Sequence, residues 1–221
     1  MLRTANIATF PSREHVLIKM LNSIRGQFDK VRIYYNNVYD RPNFLPDWVE
    51  VVCGGDTDLT DNGKFYFIKD NEYYFTLDDD LIYPPTYADD MVSAIDRLGG
   101  MVSHHGRILL NSGAAYYRNH KVFRCLGENR KECKIDVVGS GVAAFDTTNF
   151  KPVIWNSEYQ KMGDLVLSLE AARMGVSRYV LKHKADYFGY LNPDPSSTIY
   201  FQESKNDKIQ SQLADEIIAL K

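Results

Sequence analysis

The sequence predicts an α/β fold: a mostly parallel central sheet with helices on both faces, a small antiparallel part and a C-terminal helix. The first observation behind this prediction is that strand-like and helix-like segments alternate through the first half of the chain. The second is that residues 107–135 lose this alternation, which is typical of an irregular or antiparallel excursion. The third is an amphipathic pattern over 207–220, which predicts the final helix.

Five apolar segments of the first half are predicted to be strands, namely 3–10, 30–37, 48–55, 72–77 and 101–106. Three of them are followed at once by polar or glycine-rich loops, and the fourth by three aspartates. Ligands of open parallel sheets bind outside the carboxyl ends of the strands. We therefore expect the chemistry of this protein to lie in the loops that follow the strands.

Helices are predicted between these strands. Apolar residues at helical spacing favour a helix over 13–24, with Ser12 as its N-cap and Gly26 as its stop. A short helical segment is predicted over 64–69. A longer helix follows, for which Thr86 and Asp89 have the spacing of a capping box and Gly99–Gly100 form the stop.

The second half is predicted to contain fewer regular elements. Residues 134–145 are read as a strand, a glycine-rich break and a further apolar segment, and 177–183 as the last strand. An amphipathic helix ends at Gly175, and a loop covers 192–197. In the tail helix we expect one apolar face formed by Ile209, Leu213 and Ile217.

Composition bounds the class of protein. The chain has 221 residues, of which 44% are hydrophobic, and this suits one globular domain spanning 1–221. The formal net charge of −3 gives no global attraction to nucleic acid. No run approaches the length of a membrane span, and the N-terminus lacks the apolar core of a signal peptide. The odd cysteine count (Cys53, Cys125 and Cys133) indicates reduced thiols, so we expect a cytoplasmic location.

Three adjacent carboxylates, Asp78, Asp79 and Asp80, follow the fourth strand. Like charges at this distance raise one another's pKa and destabilise the fold unless a cation lies between them. Hard carboxylate oxygens suit Mg²⁺ or Mn²⁺, which usually complete their coordination with water and phosphate oxygens. A solvated loop that precedes the next helix is the alternative. The position at the end of a buried strand favours the metal site, with Asp80 and Asp78 as ligands.

Charge also changes sign along the chain. Residues 56–96 contain 11 acidic and 2 basic residues, whereas 97–134 contain 8 basic and 2 acidic ones. Two solvated faces would explain this segregation. A cation site beside an anion site would explain it as well, and that arrangement is what a metal-bound phosphate ligand needs.

The order of these motifs resembles the GT-A-fold glycosyltransferases that carry a D-x-D motif. The "LDDD" at the end of a strand is similar to the motif with which that family holds a metal and the diphosphate of a nucleotide sugar. The opening "ATFPSR" resembles the family's first nucleotide-binding loop, which implies that Thr9, Pro11 and Arg13 lie near the base and ribose. "GGDTDLTDNGKF" resembles the second such loop and implies contacts from Asp56 and Lys64, while Asp78 and Asp79 would also meet the nucleotide sugar.

The later motifs continue the resemblance. "VVGSGVAAF" resembles the segment that lines the acceptor side of the family's site. "MGDLVLSLEAARMG" resembles the late acidic motif, which implies that Asp164 is the catalytic base, although this chain has Gly163–Asp164 where Glu–Asp is common. His183 ends "LKH" in the region where some members supply a metal ligand. A helix N-terminal aspartate and a structural histidine are the respective alternatives.

The resemblance implies a division of the chain and a reaction. Residues 1–100 would bind the nucleotide sugar, 101–191 the acceptor and the catalytic base, and 192–221 would form a loop and tail helix. The implied reaction is Mn²⁺- or Mg²⁺-dependent transfer of a hexose or deoxyhexose, of glucose or rhamnose type, from a UDP-sugar to a hydroxyl of a glycan or glycoprotein acceptor, with inversion. Arg107 and Lys64 would steady the phosphates, and Tyr116, Tyr117 and Trp155 are candidates for stacking on sugars.

Within the family, the chain resembles the N-terminal glycosyltransferase domains of large multidomain chlorella-virus proteins that modify the capsid glycoprotein. This resemblance implies a host-cytoplasmic setting and further domains in a longer parent chain. Two alternatives stay open. One is a sugar nucleotidyltransferase, although "FPSREH" lacks the glycine-rich signature of those enzymes. The other is a non-catalytic module of the same fold that binds a nucleotide or carbohydrate.

Overall fold

The computed structural model describes residues 1–191 and 207–221 and confirms an α/β architecture around one large mixed sheet. The strands of the described chain, in sequence order, are β1 Leu2–Thr9, β2 Lys30–Tyr35, β3 Val49–Cys53, β4 Glu72–Leu77, β5 Leu81–Ile82, β6 Met101–Ser103, β7 Gly106–Leu109, β8 His120–Phe123, β9 Cys133–Lys134, β10 Val137–Val138, β11 Val142–Asp146, β12 Arg178–Val180 and β13 Gly189–Tyr190. The helices are α1 Glu14–Ile24, α2 Tyr87–Leu98, α3 Gly163–Arg173 and α4 Lys208–Ala219.

The large sheet has eight strands in the order β3-β2-β1-β4-β11-β6-β12-β9. Strands β3, β2, β1 and β4 are mutually parallel, as the alternation of strands and helices predicts. Strand β11 runs antiparallel to both of its neighbours, β4 and β6. The carboxyl ends of the four parallel strands therefore meet at one edge, and the loop that precedes β11 returns to that same edge.

Helices cover both faces of the sheet, as predicted. Phe75 of β4 packs in a core cluster with Leu17 of α1 and Met91 of α2. Its neighbour Tyr74 packs in a separate cluster with Leu167 of α3. Successive strand residues point to opposite faces, so α1 and α2 lie on one side of the sheet and α3 on the other.

The small antiparallel part is also present. Strands β10, β7 and β8 form a three-stranded antiparallel sheet, which is the excursion expected over 107–135. Strands β13 and β5 form a two-stranded one. The predicted loop at 192–197 lies outside the described residues. None of the helices in the described ranges combines the length and apolar character that crossing a membrane requires.

Helix ends test the predicted signals. The stops at Gly26, Gly99 and Gly175 are confirmed, because these residues have positive φ angles of 80°, 67° and 68°. The capping box at Thr86 is wrong, since the Thr86 hydroxyl donates to the Asp90 carboxylate at 2.7 Å and caps no backbone amide. Ser12 is likewise not an N-cap.

Three further local predictions are corrected. Ser12 lies within a 3₁₀ turn, Pro11–Arg13, that leads directly into α1. The short helix expected over 64–69 is a 3₁₀ segment at Thr60–Phe65. In α4 the position buried ahead of Leu213 and Ile217 is Gln210, whereas Ile209 is 45% exposed. Because Ile209 is apolar, the sequence pattern placed it on the buried face of this helix.

Candidate active site

A cavity of about 530 Å³ lies at the carboxyl edge of the parallel strands. Its walls are formed by the ends of β1 to β4 and the loops after them, by β7, by the 3₁₀ turn at Tyr116–Arg118, by the loop before β11, by the start of α3 and by one residue of α4. Its lining residues are Ala8, Phe10, Arg13, Asn36, Asn37, Asp58, Thr60, Asp61, Lys64, Asp78, Asp79, Asp80, Arg107, Tyr116, Tyr117, Ser140, Lys161, Gly163, Asp164, Leu165 and Gln210. This volume lies within the range of cavities that bind small molecules and cofactors.

Asp78 and Asp80 reach this cavity and each faces a cation. The Asp78 carboxylate pairs with the Lys64 ammonium group, and its side chain remains 41% exposed. The Asp80 carboxylate accepts from the Arg13 guanidinium at 2.8 Å. Burial and the nearby charge of Asp78 raise the pKa of the Asp80 carboxyl, while Arg13 acts in the opposite direction. Both carboxylates therefore lie where a cation bound to them can also contact a bound anion.

Asp79 has a different environment, because it is largely withdrawn from solvent. Its carboxylate accepts from the Thr9 hydroxyl at 2.7 Å and from Arg13 at 3.3 Å. Burial raises the pKa of the Asp79 carboxyl to about 7, against the lowering effect of Arg13. Asp79 thus ties the loop after β4 to the end of β1.

Lys64 is the central cation of the site. Burial lowers the pKa of its ammonium group, but the carboxylates of Asp78 and Asp61 outweigh that effect and leave the pKa above its ordinary value. Asp61 accepts from the backbone amide of Gly163 at 2.8 Å, where α3 begins. A Cβ at Gly163 would come within 2.7 Å of the same oxygen. This close approach explains why glycine precedes Asp164.

Asp164 occupies the first turn of α3, on the wall formed with Arg107 and Ser140. One carboxylate oxygen accepts from the Ser140 amide at 2.7 Å, and the other lies 3.6 Å from the Arg107 guanidinium. Burial raises the pKa of the Asp164 carboxyl, but Arg107 and the Ser140 amide outweigh it, so the pKa lies below its ordinary value. Asp164 is therefore ionised at neutral pH and held in one orientation.

The number of carboxylates at the end of β4 bears on whether a divalent cation can bind there. In the described ranges, no group of three or more His, Cys, Asp or Glu side chains is arranged to hold a metal ion. Mg²⁺ sites commonly take only one or two carboxylates and complete the shell with water and substrate phosphate. Asp78 and Asp80 provide that smaller set. A Cβ at Gly141 would overlap the Asp78 carboxylate, so glycine is needed there to accommodate it.

The other predicted residues divide between the cavity and its surroundings. Arg13 and Lys64 line the cavity, whereas Thr9 acts through Asp79 and Pro11 is exposed in the turn after β1. Asp56 is exposed, and its carboxylate accepts a hydrogen bond from the Tyr39 hydroxyl. The aspartate of this loop that lines the cavity is Asp58.

His183 lies in a separate buried cluster of rings. Its ring centroid is 5.4 Å from that of His104 and 6.2 Å from that of Phe188. Its Nδ1 faces the Lys184 carbonyl at 3.1 Å, and its buried Nε2 has no hydrogen-bond partner among the described residues. His183 is not among the residues that line the cavity. Its role as a metal ligand stays a prediction.

The stacking candidates also separate. Tyr116 and Tyr117 line the cavity, and the Arg107 guanidinium lies over the Tyr116 ring at 5.4 Å from the centroid. Trp155 is partly buried, and it packs edge-to-face on Tyr66 at 5.5 Å beside the core cluster that contains Leu167 of α3. Trp155 therefore has a packing role, as aromatic residues often do.

Sequence reasoning missed several lining residues. Asn36 and Asn37 directly follow β2 and could have been assigned from the rule that ligands bind at carboxyl strand ends. Asp61 could only have been connected to α3 through the tertiary structure. Gln210 was missed because a polar residue in an amphipathic helix is expected on the solvent face.

Comparisons with protein-family models and with curated proteins find no match for this chain.

Proposed function

We propose that this protein is a metal-dependent glycosyltransferase of the GT-A type that transfers a hexose or deoxyhexose from a UDP-sugar to a hydroxyl of a glycan or glycoprotein. The observation that carries this proposal is that one cavity is lined both by paired carboxylates and cations and by a separate ionised aspartate. Asp78 and Asp80 pair with Lys64 and Arg13 at the end of β4, and Asp164 lines the same cavity at the start of α3. A donor diphosphate and an acceptor hydroxyl need these two kinds of group.

The metal site would be formed by Asp80 and Asp78, which would hold Mn²⁺ or Mg²⁺ with oxygens of the donor diphosphate. When bound, the ion supplies electrostatic stabilisation of the leaving diphosphate. Lys64 and Arg13 lie against the same carboxylates and can turn toward a bound phosphate. These cations keep the carboxylates compensated when the donor leaves.

The transfer step would use Asp164 as the base. The acceptor oxygen forms a bond to the anomeric carbon while its proton passes to the Asp164 carboxylate, and the bond from that carbon to the diphosphate breaks. The bonding electrons leave with UDP, and attack from the opposite side inverts the anomeric centre. A positioned general base contributes about 10²- to 10⁴-fold to such a step. Arg107 and the Ser140 amide hold the Asp164 carboxylate in position.

Release of UDP from a panel of UDP-sugars, with and without Mn²⁺, tests the proposal. We expect Mn²⁺-dependent release from at least one UDP-hexose or UDP-deoxyhexose, and we expect Asp80→Ala to abolish it with the fold intact by circular dichroism. Asp47→Ala, at an exposed loop aspartate, is the matched control. Metal-dependent release that persists in Asp80→Ala removes the metal assignment.

Asp164→Asn tests the base. This change keeps the size of the side chain and the hydrogen bond from Ser140, so we expect UDP affinity to persist while transfer falls about 10²-fold or more. Calorimetry with UDP and Mn²⁺ measures the first quantity and product formation the second. An Asn variant with full transfer activity excludes Asp164 as the base.

A non-catalytic binding module is the second candidate, and the ion pairs of Asp78 with Lys64 and of Asp80 with Arg13 favour it, because they neutralise both carboxylates without a metal. Calorimetric binding of UDP without release from any UDP-sugar would establish this alternative. The proposed setting is the cytoplasm, of a host cell if the protein is viral, since all three cysteines are free thiols.

A further inference from the structure

Gln210 is the one α4 residue that lines the cavity, and it is only 3% exposed. Its side-chain oxygen Oε1 is buried and has no hydrogen-bond partner within 1–191 or 207–221. A buried amide oxygen that is left without a partner destabilises the fold, because it has lost its hydrogen bonds to water and gained none in return. Such a group beside a cavity is explained if a ligand supplies the missing donor.

The position of Gln210 is held by contacts between α4 and the loop that carries two cavity tyrosines. The Asp215 carboxylate accepts from the Gly113 amide at 2.8 Å, and the Ser211 hydroxyl oxygen accepts from the Tyr116 amide at 3.0 Å. The Asp207 carboxylate accepts from the Tyr117 amide at 3.2 Å. Three side chains of the α4 segment thus fix the loop and the helix together.

This corner of the cavity has the chemistry of a sugar site. Tyr116 and Tyr117 offer aromatic surface, and Leu165, which follows the proposed base in α3, also lines the wall. Apolar faces of a sugar ring pack on such surfaces, while sugar hydroxyls are hydrogen-bond donors. The donor diphosphate would lie at the other wall, against Lys64 and Asp78.

We propose that Gln210 Oε1 accepts a hydrogen bond from a hydroxyl of the acceptor sugar, so that α4 forms part of the acceptor site. This inference rests on the proposed function and extends it from the reaction to acceptor recognition. We assign this hydroxyl to the acceptor sugar, which would bind beside the proposed base Asp164. The reason is that α4 packs against α3, which carries Asp164, and against the 3₁₀ turn that contains Tyr116.

The test uses the full chain with Mn²⁺, the UDP-sugar that supports release, and methyl glycosides of glucose, mannose, galactose, xylose and rhamnose as acceptors. Gln210→Met keeps the length of the side chain and removes the acceptor oxygen. We expect its KM for the best glycoside to rise about 5- to 10-fold, the loss of one neutral hydrogen bond. Gln210→Glu retains an acceptor oxygen, so its KM for the same glycoside should lie close to that of the wild type.

Gln212→Met is the matched control, because Gln212 is exposed on the same helix and should leave the glycoside KM unchanged. UDP affinity by calorimetry reports whether the cavity of each variant is still formed. Two results would overturn this inference in a wild-type protein that still cleaves the UDP-sugar. One is an unchanged glycoside KM in Gln210→Met, and the other is that the wild type binds none of the glycosides. Absence of any UDP release from the wild type instead removes the proposed function, and this inference with it.

Discussion

Adjacent residues of identical chemistry have distinct environments in the Asp78–Asp80 segment. Asp78 is partly exposed and pairs with Lys64, whereas Asp79 is buried against Thr9, and Asp80 pairs with Arg13. The repulsion expected for three neighbouring carboxylates is thus reduced by two cations and by burial of the central group, whose pKa rises to about 7. Such unequal environments suit unequal functions, with Asp78 and Asp80 at the cavity and Asp79 in support of the loop.

Gly141→Ala tests the placement of Asp78. A Cβ at position 141 would overlap the Asp78 carboxylate, which is the far end of a side chain that can rotate away. We expect a folded protein in which Asp78 no longer meets Lys64, with affinity for UDP and Mn²⁺ lower by about 10-fold, the effect of one lost charge-assisted contact. Calorimetry measures the affinity, and Gly127→Ala, where the nearest heavy atom would be 3.6 Å away, is the control. Equal affinity in the two variants would contradict the assignment.

Arg107→Gln tests the electrostatics of Asp164. Arg107 is the main group that lowers the pKa of this partly exposed carboxyl, so its removal raises that pKa. A base must be ionised to act, and the acid limb of the profile of transfer rate against pH therefore moves to higher pH. An acid limb at the same pH in wild type and variant would show that another group titrates.

Elements of the sheet are joined below the cavity by a buried ion pair. Arg32 of β2 reaches across β1 and donates to both carboxylate oxygens of Glu72 of β4, at 2.9 and 2.7 Å. The Thr4 hydroxyl of β1 also donates to Glu72, at 3.2 Å. The side chains of Arg32 and Glu72 are 1% and 4% exposed. This network holds three parallel strands in register, so that their carboxyl ends form one rigid edge.

Arg32→Met should destabilise the protein by about 3–5 kcal/mol, because it leaves the Glu72 carboxylate buried without its partner. The double variant Arg32→Met, Glu72→Met removes both charges and should regain much of that loss. Urea denaturation measures the free energy of unfolding in each. A double variant that is less stable than Arg32→Met would show that the pair contributes through more than mutual compensation.

Long elements with strong periodicity could be predicted from sequence, and short ones could not. The four parallel strands, α1, α2, α3 and α4 were all expected, because each repeats an apolar pattern over several residues. The 3₁₀ segment at Thr60–Phe65 was placed too late in the chain, since its apolar residues lie at its end. Capping at Thr86 failed because the nearby Asp90 carboxylate competes for the hydroxyl.

At the scale of the whole molecule, the C-terminal helix completes the cavity that the first half begins. Leu213 and Ile217 of α4 pack with Leu165 and Leu169 of α3, and Gln210 on the buried side of the same helix lines the cavity. The expected division into a nucleotide-binding half, an acceptor half and a tail stays a prediction. The cavity takes residues from all three parts.

Leu213→Ala tests how α4 is docked. Leu213 is 1% exposed, and its truncation should lower the free energy of unfolding by about 2–5 kcal/mol through lost burial and the space left behind. Ile209→Ala, on the exposed face, should change that free energy by less than about 0.5 kcal/mol. Urea denaturation of both variants measures the difference. Equal losses would mean that the helix packs through its other face.

The sequence by itself determined the fold class, the order of the long elements and the position of Asp78–Asp80 and Asp164 at element ends, because these depend on local patterns. The tertiary structure decided which cation meets each aspartate, and it placed the Asp61 carboxylate against the Gly163 amide. It also left Asp56 and His183 out of the cavity lining and made Gln210 part of that lining. Those outcomes depend on contacts between residues far apart in the chain, which only the packing of helices on the twisted sheet brings together.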